Sequence, residues 1–98
     1  MAFIDGLNKA FENKVRLGVM SILMANGAAD FTTLKTLLEV TDGNLASHTR
    51  YLEEAGYIRC EKKFIGRKPN TLFSVTEAGR LAFTQHLQAL ENLLQLNK

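Results

Sequence analysis

The chain has 98 residues, 46% hydrophobic and 22% charged, with a formal net charge of +2. That size and balance fit one soluble domain with a single core, and there is no internal repeat, low-complexity segment or linker to divide it. No apolar run is long enough to span a bilayer and no basic segment precedes an apolar leader, so a cytoplasmic protein with no membrane partner is expected.

In chain order, Phe3, Leu7 and Phe11 recur at i, i+4 and i+8, an apolar stripe that predicts a helix over residues 1–11. A supporting helix is expected over residues 13–26, with Val15, Val19, Ile22 and Leu23 as its core face. Asp30 or Thr32 then offers a cap to a short helix whose Leu34, Leu37 and Leu38 form an i, i+3, i+4 stripe. Only Val40 and Thr41 separate it from the next helix, for which Thr41 or Asp42 is the cap. Two helices this short, joined by so tight a turn, suit a crossing helix-turn-helix over residues 30–56 better than an antiparallel hairpin.

The second of these helices is the most informative element. Leu45, Leu52 and Ala55, with Thr49 between them, fall on one stripe, while Asn44, Ser47, Arg50, Tyr51 and Glu54 occupy the opposite face. That outer face is polar but mostly uncharged in its first two turns, and its side chains end in groups suited to base edges and phosphates. Gly43 and Ala46 add little bulk, so the backbone can approach a ligand closely. His48 flanks the buried stripe and reads as a packed or phosphate-contacting residue.

Gly56 is the expected C-cap. The period then becomes alternating: Ile58, Cys60 and Phe64 point one way, with Lys62 the exception, and Arg59, Glu61 and Lys63 point the other. A turn at Gly66-Arg67-Lys68-Pro69-Asn70 leads to a short strand over residues 71–75, with Phe73 and Val75 on one face. The hairpin over residues 57–75 holds five cations, Arg59, Lys62, Lys63, Arg67 and Lys68, against Glu61 between residues 59 and 68, a local balance of +4 that leaves −2 for the rest. Such a concentration beside a polar helix fits phosphate neutralisation and a minor-groove probe.

Thr76 can cap a last helix over residues 76–98, in which Phe83, Leu87, Leu90 and Leu94 recur at intervals of 4, 3 and 4. With Phe3 and Leu7 at the other end, this seam is expected to join two copies of the chain. A homodimer reads two half-sites about one DNA turn apart, where a single recognition helix reads only a few base pairs.

An enzyme is disfavoured. His48 and His86 lie on different helices without a cysteine or carboxylate at metal-site or nucleophile spacing, and there is no phosphate-binding glycine loop. Cys60, the single cysteine, reads as a small core residue. No cofactor or metal is expected, and the sequence specifies no small-molecule effector.

The order helix, turn, helix, strand, basic loop, strand resembles the winged helix-turn-helix regulators of bacteria and archaea, broadly MarR- and ArsR-like. Within them the chain is similar to a small winged-helix family through Asn13-Lys14-Val15-Arg16-Leu17, Phe31-Thr32-Thr33-Leu34, Asp42-Gly43-Asn44-Leu45, His48, Leu52-Glu53-Glu54-Ala55-Gly56-Tyr57-Ile58 and Val75-Thr76-Glu77-Ala78-Gly79. The resemblance covers roughly residues 11 to 90. Thr49 departs from it where such families often have leucine, and Glu12 where the nearest often has histidine.

The expected fold is therefore mainly α with a small β-hairpin, a winged helix-turn-helix with terminal dimerisation helices. The expected function is sequence-specific regulation of transcription on duplex DNA, with Thr32, Gly43, Asn44, Ser47, His48, Arg50, Tyr51, Lys62, Arg67 and Lys68 at the DNA. The competing reading is a winged helix that docks another protein and binds no DNA.

Overall fold

The computed structural model describes residues 5–95. A 3₁₀ turn at Lys9–Phe11 leads into α1 (Lys14–Asn26), a short strand β1 (Ala28–Asp30), α2 (Phe31–Leu38), α3 (Asp42–Glu54), the hairpin β2 (Ile58–Ile65) and β3 (Lys68–Val75), and α4 (Glu77–Gln95). The three strands form an antiparallel sheet in the order β1-β3-β2. This is the α+β winged helix expected from the sequence, with two differences at its start. Within the described residues, the expected helix over residues 1–11 is a turn followed by 3₁₀ structure, because the Asn8 side chain accepts from the Ala10 N–H and starts a tight turn there. The strand β1 has no signal in the sequence; three residues of Ala-Ala-Asp carry no alternation to read, and pairing with Leu72 to Ser74 makes them a strand.

Each of the four helix starts has its own capping side chain. The Asn13 carboxamide accepts from Val15 and Arg16 N–H to open α1. Of the two candidates at each later start, Asp30 caps α2 through the Thr33 N–H at 2.7 Å, and Thr41 caps α3 through the Asn44 N–H at 3.1 Å. The bond from Thr33 holds the Asp30 carboxyl below the usual carboxylate range. Between α2 and α3 the backbone turns through Glu39 at φ 54°, a left-handed conformation that strains a side chain with a Cβ.

Helix α3 ends in a Schellman motif: Gly56 (φ 82°) gives its N–H to Glu53 O, and Tyr57 gives its N–H to Leu52 O. Gly56 is thus the residue just past the cap, with Ala55 as the cap itself. The Thr76 hydroxyl donates to Gly56 O at 2.7 Å and accepts from the Gly79 N–H at 2.9 Å, while the Thr76 N–H donates to Tyr57 O. A Cβ on Gly79 would collide with that same Tyr57 carbonyl. The Leu-Glu-Glu-Ala-Gly-Tyr and Val-Thr-Glu-Ala-Gly segments therefore meet in space, and the threonine and glycine of the second are dictated by the backbone of the first.

The core lies where α1, α2, α3 and the sheet converge: Val19, Met20, Leu23, Leu34, Leu45 and Leu52 are fully buried, with Phe11, Ile58, Phe73 and Phe83 around them. Phe11 sits at the centre of an aromatic cluster, 5.2 Å from Phe83, 5.4 Å from Tyr57 and 5.4 Å from His86. Several expected core positions face solvent instead. Leu37 is 60% exposed, Ala55 is exposed as the helix unwinds into its cap, and Phe64 is 74% exposed because the hairpin has left the core by that point. Thr49 keeps its place in the buried stripe by bonding its hydroxyl back to Leu45 O and Ala46 O, so the departure from leucine leaves no polar group unsatisfied.

Candidate nucleic-acid interface

The outer face of α3 is built by the burial of its inner face. Leu45, Thr49 and Leu52 lock the helix against the core, which turns Gly43, Asn44, Ser47, Arg50 and Glu54 to solvent and leaves Tyr51 at the edge, 40% exposed. Gly43, Ala46, Ser47, Arg50, Tyr51 and Glu54 line one shallow cavity of about 390 Å³. A Cβ on Gly43 would meet nothing, so the chain's own packing does not demand glycine there and the space above it is open. Glu54 and Glu53 place negative charge on the C-terminal turn, which restricts a phosphate-facing role to the first two turns of the helix. The start of α3 is tied to α2 by a 2.8 Å pair between Lys35 and Asp42. Both partners are solvated, which limits that pair to under about 1 kcal/mol.

His48 is half-buried on the flank of α3 that faces α1. Its Nδ1 lies 3.0 Å from an Arg16 guanidinium nitrogen, and the Arg16 carbon lies 4.0 Å above the centre of the Tyr51 ring. Burial, and secondarily the Arg16 charge, push the His48 pKa below its ordinary value. Thr32 is exposed in the first turn of α2.

The wing is a hairpin whose closing pair is Ile65 opposite Lys68, with Gly66 (φ 66°) and Arg67 as the two-residue loop. A glycine at positive φ in the first loop position, followed by a residue at negative φ, is the pattern of a type II′ turn. The turn is thus shorter than the five residues expected, and Lys68, Pro69 and Asn70 belong to β3. Pro69 is tolerated because its pair with Phe64 is one step from the closing pair, where an N–H points away from the partner strand, and β1 reaches only as far as Leu72.

The alternation in β2 also explains Lys62. Ile58 is buried and Cys60 half-buried on the face toward the core; Lys62 and Phe64 continue that face beyond the core and are exposed. Lys62 thereby comes to line a second concavity, of about 210 Å³, with Arg50, Cys60, Phe73 and Glu53. The structure thus brings Lys62 of the wing beside Arg50 of α3, residues that sequence alone left 12 positions apart. Arg67 and Lys68 sit at the far tip, away from that junction. Cys60 carries a thiol whose pKa is raised by burial and then by Glu53.

The terminal elements divide differently from the expectation. Phe83 belongs to the chain's own core at 4% exposure, packed edge-on against Phe11, so it is no part of an exposed seam. Helix α4 buries Gly79, Phe83, His86 and Ala89, whereas Leu87, Leu90 and Leu94 line up beside that stripe, with Leu94 71% exposed. Leu7 is half-buried, and Phe3 lies outside the described residues. His86 is buried and accepts from the Asn8 N–H through Nδ1 at 2.9 Å, a structural use that its position in the sequence did not disclose. Among the described residues no helix is long and apolar enough to cross a membrane.

Residues 15–94 match the family model described as a winged helix DNA-binding domain. An uncharacterized protein of Methanocaldococcus jannaschii is 34% identical over 90 residues, covering 92% of this chain and 95% of its own. A solved transcriptional regulator homologue from Pyrococcus horikoshii superposes with a TM-score of 0.87 at 31% identity, over 97% of this chain and 96% of that one. The crystal structure of MarR superposes at 0.76 with 24% identity, over 97% of this chain and 69% of MarR, a likeness of fold. The chain belongs to the winged helix DNA-binding domain family, and its structural neighbours are transcriptional regulators of the MarR and ArsR type.

Proposed function

We propose that the chain is a sequence-specific regulator that binds duplex DNA as a homodimer in the cytoplasm, with the first two turns of α3 in the major groove. The observation that carries this reading is the adjacency of an exposed, largely uncharged polar face on α3 to a hairpin with a local balance of +4, meeting at Arg50 and Lys62. Arg50, Asn44 and Ser47 have the donors and acceptors that discriminate base edges, with Gly43 allowing close approach. Lys62, Arg67 and Lys68 neutralise phosphates, with the wing tip reaching the backbone or the minor groove, and Thr32 at the start of α2 contacts the backbone beside it.

Leu87, Leu90 and Leu94 supply the dimer surface, assisted by the N-terminal segment that carries Leu7 and Phe3. Three leucines in register on one exposed helix edge are a poor surface for a monomer and a good one for a two-fold partner.

Selection of bound sequences from a random duplex pool tests both parts together. The expected result is a motif with two-fold symmetry and half-sites about 10 base pairs apart. A one-sided motif refutes the symmetric dimer on DNA. Absence of any salt-dependent retention on duplex DNA refutes DNA binding and leaves a winged helix that docks protein.

A further inference from the structure

Arg16 lies on α1, outside both α3 and the wing, yet its guanidinium reaches both the 3₁₀ turn and α3. Nε donates to Ala10 O at 2.6 Å, and a terminal nitrogen donates to Lys9 O at 3.5 Å. The other terminal nitrogen lies 3.0 Å from His48 Nδ1, and the flat face covers the Tyr51 ring at 4.0 Å. Arginine has five donors and no acceptor. The contact with His48 can therefore run in one direction only: Arg16 donates, and Nδ1 accepts with its lone pair.

An imidazole whose Nδ1 accepts is neutral and carries its proton on Nε2. No bond from Nε2 to the rest of the chain exists among the described residues, and no described side-chain nitrogen or oxygen is both buried and unsatisfied. Among the described residues the Nε2–H thus has no partner and is not fully buried, on a half-exposed residue at the flank of the outer face of α3. Burial and the Arg16 charge favour the same neutral ring.

We propose that Arg16 is a positioning residue for DNA binding: it fixes the neutral His48 tautomer with Nε2–H aimed outward to donate to a backbone phosphate, and holds the Tyr51 ring against its own face. This rests on the DNA-binding reading above. Three of the five Arg16 donors are engaged, by Ala10, Lys9 and His48, and Tyr51 covers one face, so the proposal gives Arg16 no phosphate of its own. A neutral donor displaces no counterion, so the contribution of His48 adds affinity without adding to the salt slope.

The test uses the full chain with Arg16→Met, which keeps the stem and removes the donors, His48→Asn, and the double variant. Ring nitrogen NMR of the free wild-type protein is expected to show His48 in the single Nε2–H tautomer, and Arg16→Met a mixture of both tautomers. Each single variant is expected to bind its selected duplex about 10- to 100-fold more weakly, the range of one hydrogen bond to a charged acceptor, with an unchanged salt slope. The double variant should lose no more than either single one. Additive losses, a wild-type Nδ1–H tautomer, or a salt slope flattened by about 0.9 in Arg16→Met each overturn the proposal, the last by making Arg16 a direct phosphate ligand. Wild-type affinity in Arg16→Met overturns it while leaving DNA binding intact, whereas a wild type that binds no duplex removes both. Should Arg16→Met fail to fold, Arg16→Lys replaces it, since a compact ammonium keeps the charge but neither the fork nor the stack.

Discussion

Helix α3 and the wing offer polar groups to the same concavity, but they are held in opposite ways. Helix α3 is fixed on its inner side by Leu45 and Leu52 at zero exposure, at its ends by Thr41 and the Gly56 motif, and on its flank by Arg16. The wing is anchored near its root, by Ile58 and Phe73, by the pairing of β1 with Leu72 to Ser74 and by the Asn70 amide donating to the Asp30 carboxylate; beyond Cys60 every residue of β2 is exposed. Reading bases requires donors held to within a fraction of an ångström, while neutralising phosphates requires only charge within reach. The rigid element therefore suits recognition and the projecting one suits attraction.

The sharpest way to break this contrast is to truncate one apolar residue in each region. Leu52→Ala should cost about 2–5 kcal/mol of folding stability, because it opens a cavity in a fully buried site. Phe64→Ala should change stability by no more than about 0.5 kcal/mol, because the ring is 74% exposed. Denaturant unfolding of both variants measures the difference, and equal losses would mean that the wing is packed against something in solution.

A second comparison sets the core stripe of α4 against the leucines beside it. Leu87→Glu with Leu90→Glu should convert a dimer to a folded monomer and lower affinity for a two-fold site by roughly a hundredfold, since coupling between half-sites is lost. Sedimentation with circular dichroism decides the matter: a wild-type monomer at tens of micromolar contradicts the seam, and an unfolded variant assigns the leucines to the core.

The smallest expected effect concerns pH. Because the folded-state pKa of His48 lies below its ordinary value near 6.5, the unfolded chain binds the proton more readily. Stability should fall as pH drops below about 6.5 and level off once the folded ring is also protonated. His48→Asn should remove that part of the profile; an unchanged profile in melting experiments would assign it to other groups.

How much of this was legible in the sequence depended on whether the signal was local. The N-caps, Leu45, Thr49 and Leu52 of the inner stripe of α3 and the charge of the wing all depend on near neighbours and lie where the pattern placed them, whereas Ala55 leaves the stripe for the cap and Gly56 follows it. Failures came where a pattern continued past the core that gave it meaning. Phe64 keeps the alternation of Ile58 and Cys60 but projects beyond the body, and Leu37 keeps helical spacing on a helix too short to bury it. Phe83 fits a heptad and a core stripe equally well, and only the position of Phe11 decides between them. Arg16 was invisible as an organiser of the site because its partners are 6 and 32 residues away, although it stands in one of the segments that resemble the family.

The division of labour between α3 and the wing is open to one direct measurement. Affinity should be measured as a function of salt for wild type, Arg50→Ala, and Arg67→Ala with Lys68→Ala, each on the selected site and on random duplex. Arg50→Ala should lose about 1–3 kcal/mol on the selected site and far less on random DNA. The wing variant should lose equally on both, with its salt slope flattened by about 0.9 for each phosphate contact removed. Identical behaviour of the two variants, with losses that ignore sequence in both, would contradict the assignment of base reading to α3.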